Sequence, residues 1–168
     1  MSETPELLEI DAKWSLKCDR VNGCGAETII TEPGDDAEFS LYIVPTPKED
    51  EIVAGAILEL PANTKENVGV TLRFGDIRRA YTIRACSKEI CFSRMALFPD
   101  QFDSLKKENA LRVVFDQWGR PGNLPKTWRI SLSNFSAVFD EAVRRNRQTG
   151  RTQPRQGLVA PKYVVVPR

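Results

Sequence analysis

The stretch Lys13-Trp14-Ser15-Leu16-Lys17-Cys18-Asp19-Arg20-Val21-Asn22-Gly23-Cys24-Gly25-Ala26-Glu27-Thr28-Ile29-Ile30 sets the fold class. Trp14, Leu16 and Cys18 alternate with Lys13, Ser15 and Lys17. A period of two sends successive side chains to opposite faces, so these residues predict a half-buried strand. Asn22-Gly23 is a strong turn signal. The chain resumes as a short strand through Thr28-Ile29-Ile30 and breaks at Pro33-Gly34-Asp35.

Outward from this unit the same grammar repeats. Phe39, Leu41 and Ile43 alternate, and a loop follows through Pro45, Pro47 and the charged run from Lys48 to Glu51. Ile52 to Leu60 is nearly continuous in apolar residues and ends at Pro61, which suits a buried strand. Val68, Val70 and Leu72 are expected to face one side, with Gly75-Asp76 as the next turn. Tyr81, Ile83 and Ala85 lead into Cys86, and Cys91, Ser93 and Met95 leave on the return strand. Leu111 to Phe115 and Trp128 to Leu132 are two further strands separated by the turn-rich Gly119 to Pro125. Two short helices interrupt the pattern. Asp100 is placed to cap one that carries Phe102 and Leu105. The other carries Phe135, Val138, Phe139, Ala142 and Val143, a stripe at i, i+3, i+4, i+7 and i+8. Ser133 or Asn134 is its expected N-cap, and Arg144, Arg145 and Arg147 suit the negative end of its dipole. About nine short strands at close spacing predict a single-domain, mainly β, antiparallel sandwich or barrel-like fold. The expected layout is an N-terminal extension over 1–12, a β-domain over 13–146 and a basic, flexible tail over 147–168. Tyr163 to Val166, a strong β-former inside that tail, is expected to add as an edge strand or to act as an adhesive segment.

The four cysteines form two groups, Cys18-x5-Cys24 and Cys86-x4-Cys91. Each group brackets a turn-sized segment between strand-like runs. Residues opposite each other at a hairpin mouth have Cα atoms about 4.5–5.5 Å apart, within disulfide range. On the chain-entropy model cross-pairing over the long loop gives more stability, near 4.5 against about 2 kcal/mol, so geometry and not energy favours the local bridges. A structural zinc site commonly spaces its paired ligands by two to four residues, and no Cys-x-x-Cys occurs here, so no metal or cofactor is expected. Four free thiols in a reducing compartment remain the competing possibility.

The chain has no histidine. That removes nucleophile–imidazole catalysis and the histidine-bearing zinc hydrolase sites. No phosphate-binding glycine loop is present. Asp35-Asp36 and Glu49-Asp50-Glu51 sit in turn-like contexts that suit solvated loops. No catalytic residue is assigned and the chain is expected not to be an enzyme. The alternative is a histidine-free envelope enzyme that cleaves glycans through paired carboxylates. Apolar residues at 41% can build a core, and no window approaches the roughly 18 apolar residues of a membrane-spanning helix. The N-terminus, Met1 to Asp11, is acidic and lacks the basic start and apolar stretch of a signal peptide. It fits either a cytosolic protein or a mature form whose leader has been left out, and the cysteines favour the second.

A formal net charge of +1 conceals an asymmetry: residues 141–168 carry seven Lys or Arg against one acid. Arg144, Arg145, Arg147, Arg151 and Arg155 are therefore candidate anion-binding residues, for an anionic envelope lipid or a polyanionic host glycan. Nucleic acid is the less expected partner, because Tyr163 is the only aromatic after Phe139 to stack on bases.

An ordered set of residues carries a family likeness. It comprises Trp14-x-Leu16-x-Cys18, Cys24, Pro61, Gly69-Val70-x-Leu72, Cys86, Cys91, the Leu105 to Phe115 segment and Ser131-Leu132-x-x-Phe135-x-Ala137. In that order the chain resembles the invasion-associated locus B proteins of alphaproteobacteria, from about Trp14 to Arg145. It departs at Ile90, where glycine commonly precedes the second cysteine of the later pair, and at Asn134, where glycine precedes the phenylalanine. The resemblance implies export through a signal peptide, a periplasmic, outer-membrane or cell-surface location, and a role in host-cell invasion. It supplies no catalytic residues. The expected function is that of an exported envelope protein acting by binding.

Overall fold

The computed structural model describes residues 6–148 apart from 22, 47–51, 121 and 123. Eleven strands and two helices follow in the order β1 (Glu6–Ile10), β2 (Ser15–Asp19), β3 (Gly23–Thr31), β4 (Glu38–Pro45), β5 (Ala54–Pro61), β6 (Val70–Phe74), β7 (Ile77–Tyr81), β8 (Ala85–Cys86), β9 (Ile90–Leu97), α1 (Pro99–Lys107), β10 (Ala110–Phe115), β11 (Lys126–Ser131) and α2 (Phe135–Gln148). They form a five-stranded sheet, β1-β11-β10-β6-β7, and a six-stranded sheet, β2-β3-β4-β5-β9-β8. The two sheets pack face to face as a sandwich and do not close into a barrel.

Alternation puts one face of every long strand inside. β10 buries Leu111, Val113 and Phe115, and β11 buries Trp128 and Ile130. From the other sheet come Ala26 and Ile30, Leu41 and Ile43, Leu58 and Leu60, and Met95 and Leu97. Full burial of such a side chain contributes about 1.5–3 kcal/mol. Trp128 sits at the centre, with Phe115 edge-on at 4.7 Å and Phe39 at 5.6 Å between ring centroids. The helices cover one region of the sandwich, α2 packing on β2, β3 and β4. There Trp14, Phe102, Phe135 and Phe139 form an aromatic cluster, with Trp14 and Phe135 at 4.9 Å. The Trp14 indole donates to the Ser131 carbonyl at 2.8 Å, tying the start of the domain to the end of β11.

Several expectations need correction. Residues 6–10 are not an extension. They form an edge strand in which Ile10 is buried, and the inward alternation of Trp14 runs back through Ala12 and Ile10. β1 pairs with β11 in parallel, so the five-stranded sheet is not purely antiparallel. The two strands lie more than a hundred residues apart and no hairpin sets their direction. Val68 is 54% exposed, because it lies in the turn before β6 and not on the strand. Asp100 does not cap α1. Phe98 holds the N-cap position, and its N–H donates to the Gln101 side chain at 3.0 Å. α2 continues to Gln148, two residues into the segment expected to be tail. Tyr163 to Val166 lie outside the described residues.

Two backbone positions explain parts of the family-like pattern. Gly69 has φ +84°, and a Cβ there would lie 2.6 Å from the Tyr81 carbonyl oxygen. Asn134, just before α2, has φ +67°. Asparagine is among the few residues that tolerate this left-handed conformation, so it serves where glycine would.

Candidate functional site

Both local cysteine pairs are bonded. Cys18 and Cys24 lie directly opposite each other in the β2–β3 ladder, and Cys86 and Cys91 in the β8–β9 ladder. In the first hairpin the Asp19 carboxylate accepts the Val21 N–H at 2.8 Å and shapes the turn. In the second, the Ser87 hydroxyl accepts from Glu89 and Ile90, each at 3.2 Å. Cys91 is fully buried and Cys86 exposed, so this bridge anchors the tip of the hairpin to the core. With all four sulfurs bonded to each other, none is left as a thiolate ligand.

The end of α2 is built onto the first disulfide. The stripe of Phe135, Phe139 and Ala142 continues one turn further to Asn146, which is buried. Its side chain accepts from the Cys24 N–H at 2.8 Å and donates to the Cys24 carbonyl at 3.0 Å. An open cavity of about 660 Å³ lies here, lined by Cys18, Cys24, Arg144, Arg145, Asn146 and Gln148. A second of about 400 Å³ adjoins it, lined by Asp140, Val143, Arg144, Arg147 and Gln148.

Of the five candidate anion-binding arginines, Arg144, Arg145 and Arg147 stand exposed on this last turn. Arg151 and Arg155 lie outside the described residues. Arg144 and Arg145 are not bare charges: both bond the Glu141 carboxylate, Arg145 at 3.1 Å. The hydrogen bond from Arg144, then that from Arg145, holds the Glu141 carboxyl down at about 2. The same contact raises the Arg144 guanidinium. These pairs are solvent-exposed, so salt screens them and an anion can compete for the arginines.

Two features of this architecture escaped the sequence. Asn146 sits at i+4 from Ala142, and the apolar stripe gave a signal for burial there, but a polar residue at that step reads as solvated. Glu32 and Lys126 are both buried and bridge the two sheets, Nζ to Oε1 at 2.8 Å, and no local pattern links residues so far apart.

No curated protein gives a match. The structure is similar to the crystal structure of invasion associated protein b from Bartonella henselae, with a TM-score of 0.68 and 16% sequence identity, covering 88% of this chain and 99% of that chain. At that identity the likeness is one of fold. The family described as invasion associated locus B (IalB) protein matches residues 14–143. That span begins at Trp14, takes in both disulfides and ends on the apolar stripe of α2, and over it this chain belongs to the invasion associated locus B family.

Proposed function

We propose that this protein is an exported cell-envelope protein that acts by binding, in the periplasm or at the outer surface of a Gram-negative bacterium. Its two disulfides suit an oxidising compartment, and its family supplies the association with host invasion. Among the described residues no helix is long and apolar enough to cross a membrane. One observation carries the binding role: the arginine-bearing last turn of α2 is fixed against the Cys18–Cys24 hairpin beside an open cavity. Arginines held on a rigid element present bidentate donors to phosphate, sulfate or carboxylate at little entropic cost. An anionic envelope lipid or a polyanionic glycan is the ligand class.

The alternative is a glycan-cleaving enzyme with two carboxylates. Asp76 and Glu108 do line one pocket. A glycosidase acid keeps its proton by burial in apolar surroundings, whereas both of these residues are exposed and share the pocket with arginines. This disposition favours recognition over cleavage.

The test is truncation after Asn146, with retention measured on anionic liposomes and on heparin at low and physiological salt. Retention that falls with salt in the full chain and drops on truncation supports the reading. Equal retention by the truncated chain that also carries Arg144→Gln and Arg145→Gln moves the binding surface elsewhere.

A further inference from the structure

The outer face of the five-stranded sheet carries a row of arginines. In the ladders Arg129 lies opposite Arg112, Arg112 opposite Arg73, and Arg73 opposite Arg78. Directly opposed residues point to the same face, so four guanidinium side chains leave one line across β11, β10, β6 and β7. Three inter-strand spacings give the row a length of about 14 Å. Glu9, opposite Arg129 on β1, ends it with an ion pair at 3.0 Å.

Like charges directly opposed destabilise a sheet, and here three successive pairs are like pairs. No carboxylate among the described residues stands between these four ladder positions. Among the described residues Arg73, Arg78 and Arg112 make no ion pair, while the neighbouring Arg79 is paired with Asp100 at 2.5 Å. The Nε of Arg73 is buried and has no hydrogen-bond partner among the described residues. A buried donor without an acceptor calls for one.

The row is also part of a pocket. A cavity of about 310 Å³ is lined by Arg73, Arg112 and Arg129 together with Asp76, Glu108 and Asn109. The β6–β7 turn lines it through Gly75 and Asp76. Gly75 has φ +61°, and a Cβ there would lie 2.5 Å from the Glu108 carboxylate. The pocket therefore sets guanidinium forks beside two carboxylates and an amide.

We propose that this pocket binds an acidic sugar unit of a polyanionic glycan. Arginine forks take its sulfate or carboxylate in bidentate fashion. Asp76 and Glu108 accept hydrogen bonds from its hydroxyls. The rest of the row follows the chain into the next unit. An anionic bilayer suits the pocket less, because it offers few hydroxyls and repels the two carboxylates. The site is separate from the end of α2 and stands without it.

The experiment uses the full chain and a heparin-derived tetrasaccharide, with affinity measured by calorimetry at low and physiological salt. The double variant Arg73→Gln/Arg112→Gln is expected to bind at least about tenfold more weakly. Both side chains point away from the core, so its melting temperature should not fall. Arg112→Lys keeps the charge but loses the fork, and a several-fold loss is expected. Lys88→Gln, an exposed charge in the β8–β9 turn of the other sheet, should bind within about twofold of the parent, since a screened remote charge adds little. The proposal is overturned if the parent does not bind the tetrasaccharide, if the double variant binds like the parent, or if Arg112→Lys loses nothing. It is also overturned if phosphatidylserine vesicles bind as tightly and are lost with the same variants, which would make the ligand a lipid surface. Loss confined to Arg144→Gln/Arg147→Gln would place the contact at the helix end, sinking this proposal and sustaining the earlier one.

Discussion

The side-chain amide of Asn146 pairs with both polar backbone groups of Cys24, accepting from its N–H at 2.8 Å and donating to its carbonyl at 3.0 Å. It imitates the next strand of the ladder at the point where β3 has no further strand to offer. The last turn of α2 and the first disulfide thereby become one rigid unit, and the arginines on that turn inherit a fixed position.

Asn146→Ala should be strongly destabilising for a residue so near the end of the described chain. It leaves a buried N–H and a carbonyl without partners, each costing about 1–3 kcal/mol. Urea unfolding checks this. Truncation after Asn146 should leave the midpoint nearly unchanged, whereas truncation after Val143 should lower it as much as the alanine variant does.

Each disulfide closes a short loop and should contribute about 2 kcal/mol. Peptide mapping without reduction is expected to recover Cys18 joined to Cys24 and Cys86 joined to Cys91. A peptide that links Cys18 to either later cysteine would contradict the hairpin registers.

Lys126 and Glu32 bridge the sheets with side chains only about a tenth exposed. Removing one partner, as in Glu32→Leu, should cost about 3–5 kcal/mol by leaving a charge buried alone. The double variant Glu32→Leu/Lys126→Met should recover most of that loss. Thermal melts of the single and double variants form the cycle that decides it.

Arg112 faces Arg73 on one side and Arg129 on the other. Replacing it with threonine, a good strand former, should raise stability by about 0.2–1 kcal/mol. A gain in melting temperature together with a loss of glycan affinity would be the signature of charge kept for binding.

The Glu141 carboxyl is held at about 2, below its ordinary 4.5, by Arg144 and then Arg145. A depressed folded value stabilises above the unfolded one, so the contribution is full at neutral pH. It is lost as pH falls from 4.5 toward 2. An NMR titration should find the Glu141 midpoint near 2 in the parent and near 4.5 in Arg144→Gln/Arg145→Gln. Glu141→Gln removes the carboxylate that Arg144 and Arg145 bond and should strengthen retention on heparin at low salt.

Whatever depends on near neighbours in the chain was legible in the order of residues. The alternation of Leu111, Val113 and Phe115, the 3.6-residue stripe from Phe135 to Val143 and the turn residues around both cysteine pairs specified the strands, the second helix and the local disulfides. These are set by backbone periodicity and by loops of a few residues. The tertiary structure alone decided what depends on partners distant in the chain. β1 looked like an acidic tail because its pattern gains meaning only beside β11. Asn146, Glu32 and Lys126 are buried because each meets a specific polar partner distant in the chain, which no local pattern announces. The arginine row consists of four residues unremarkable in their own strands. Strand pairing between residues as far apart as Arg73 and Arg112, 39 positions along the chain, aligned them on one face. Register across a sheet is fixed by which faces must be buried together, and that is a property of the assembled core.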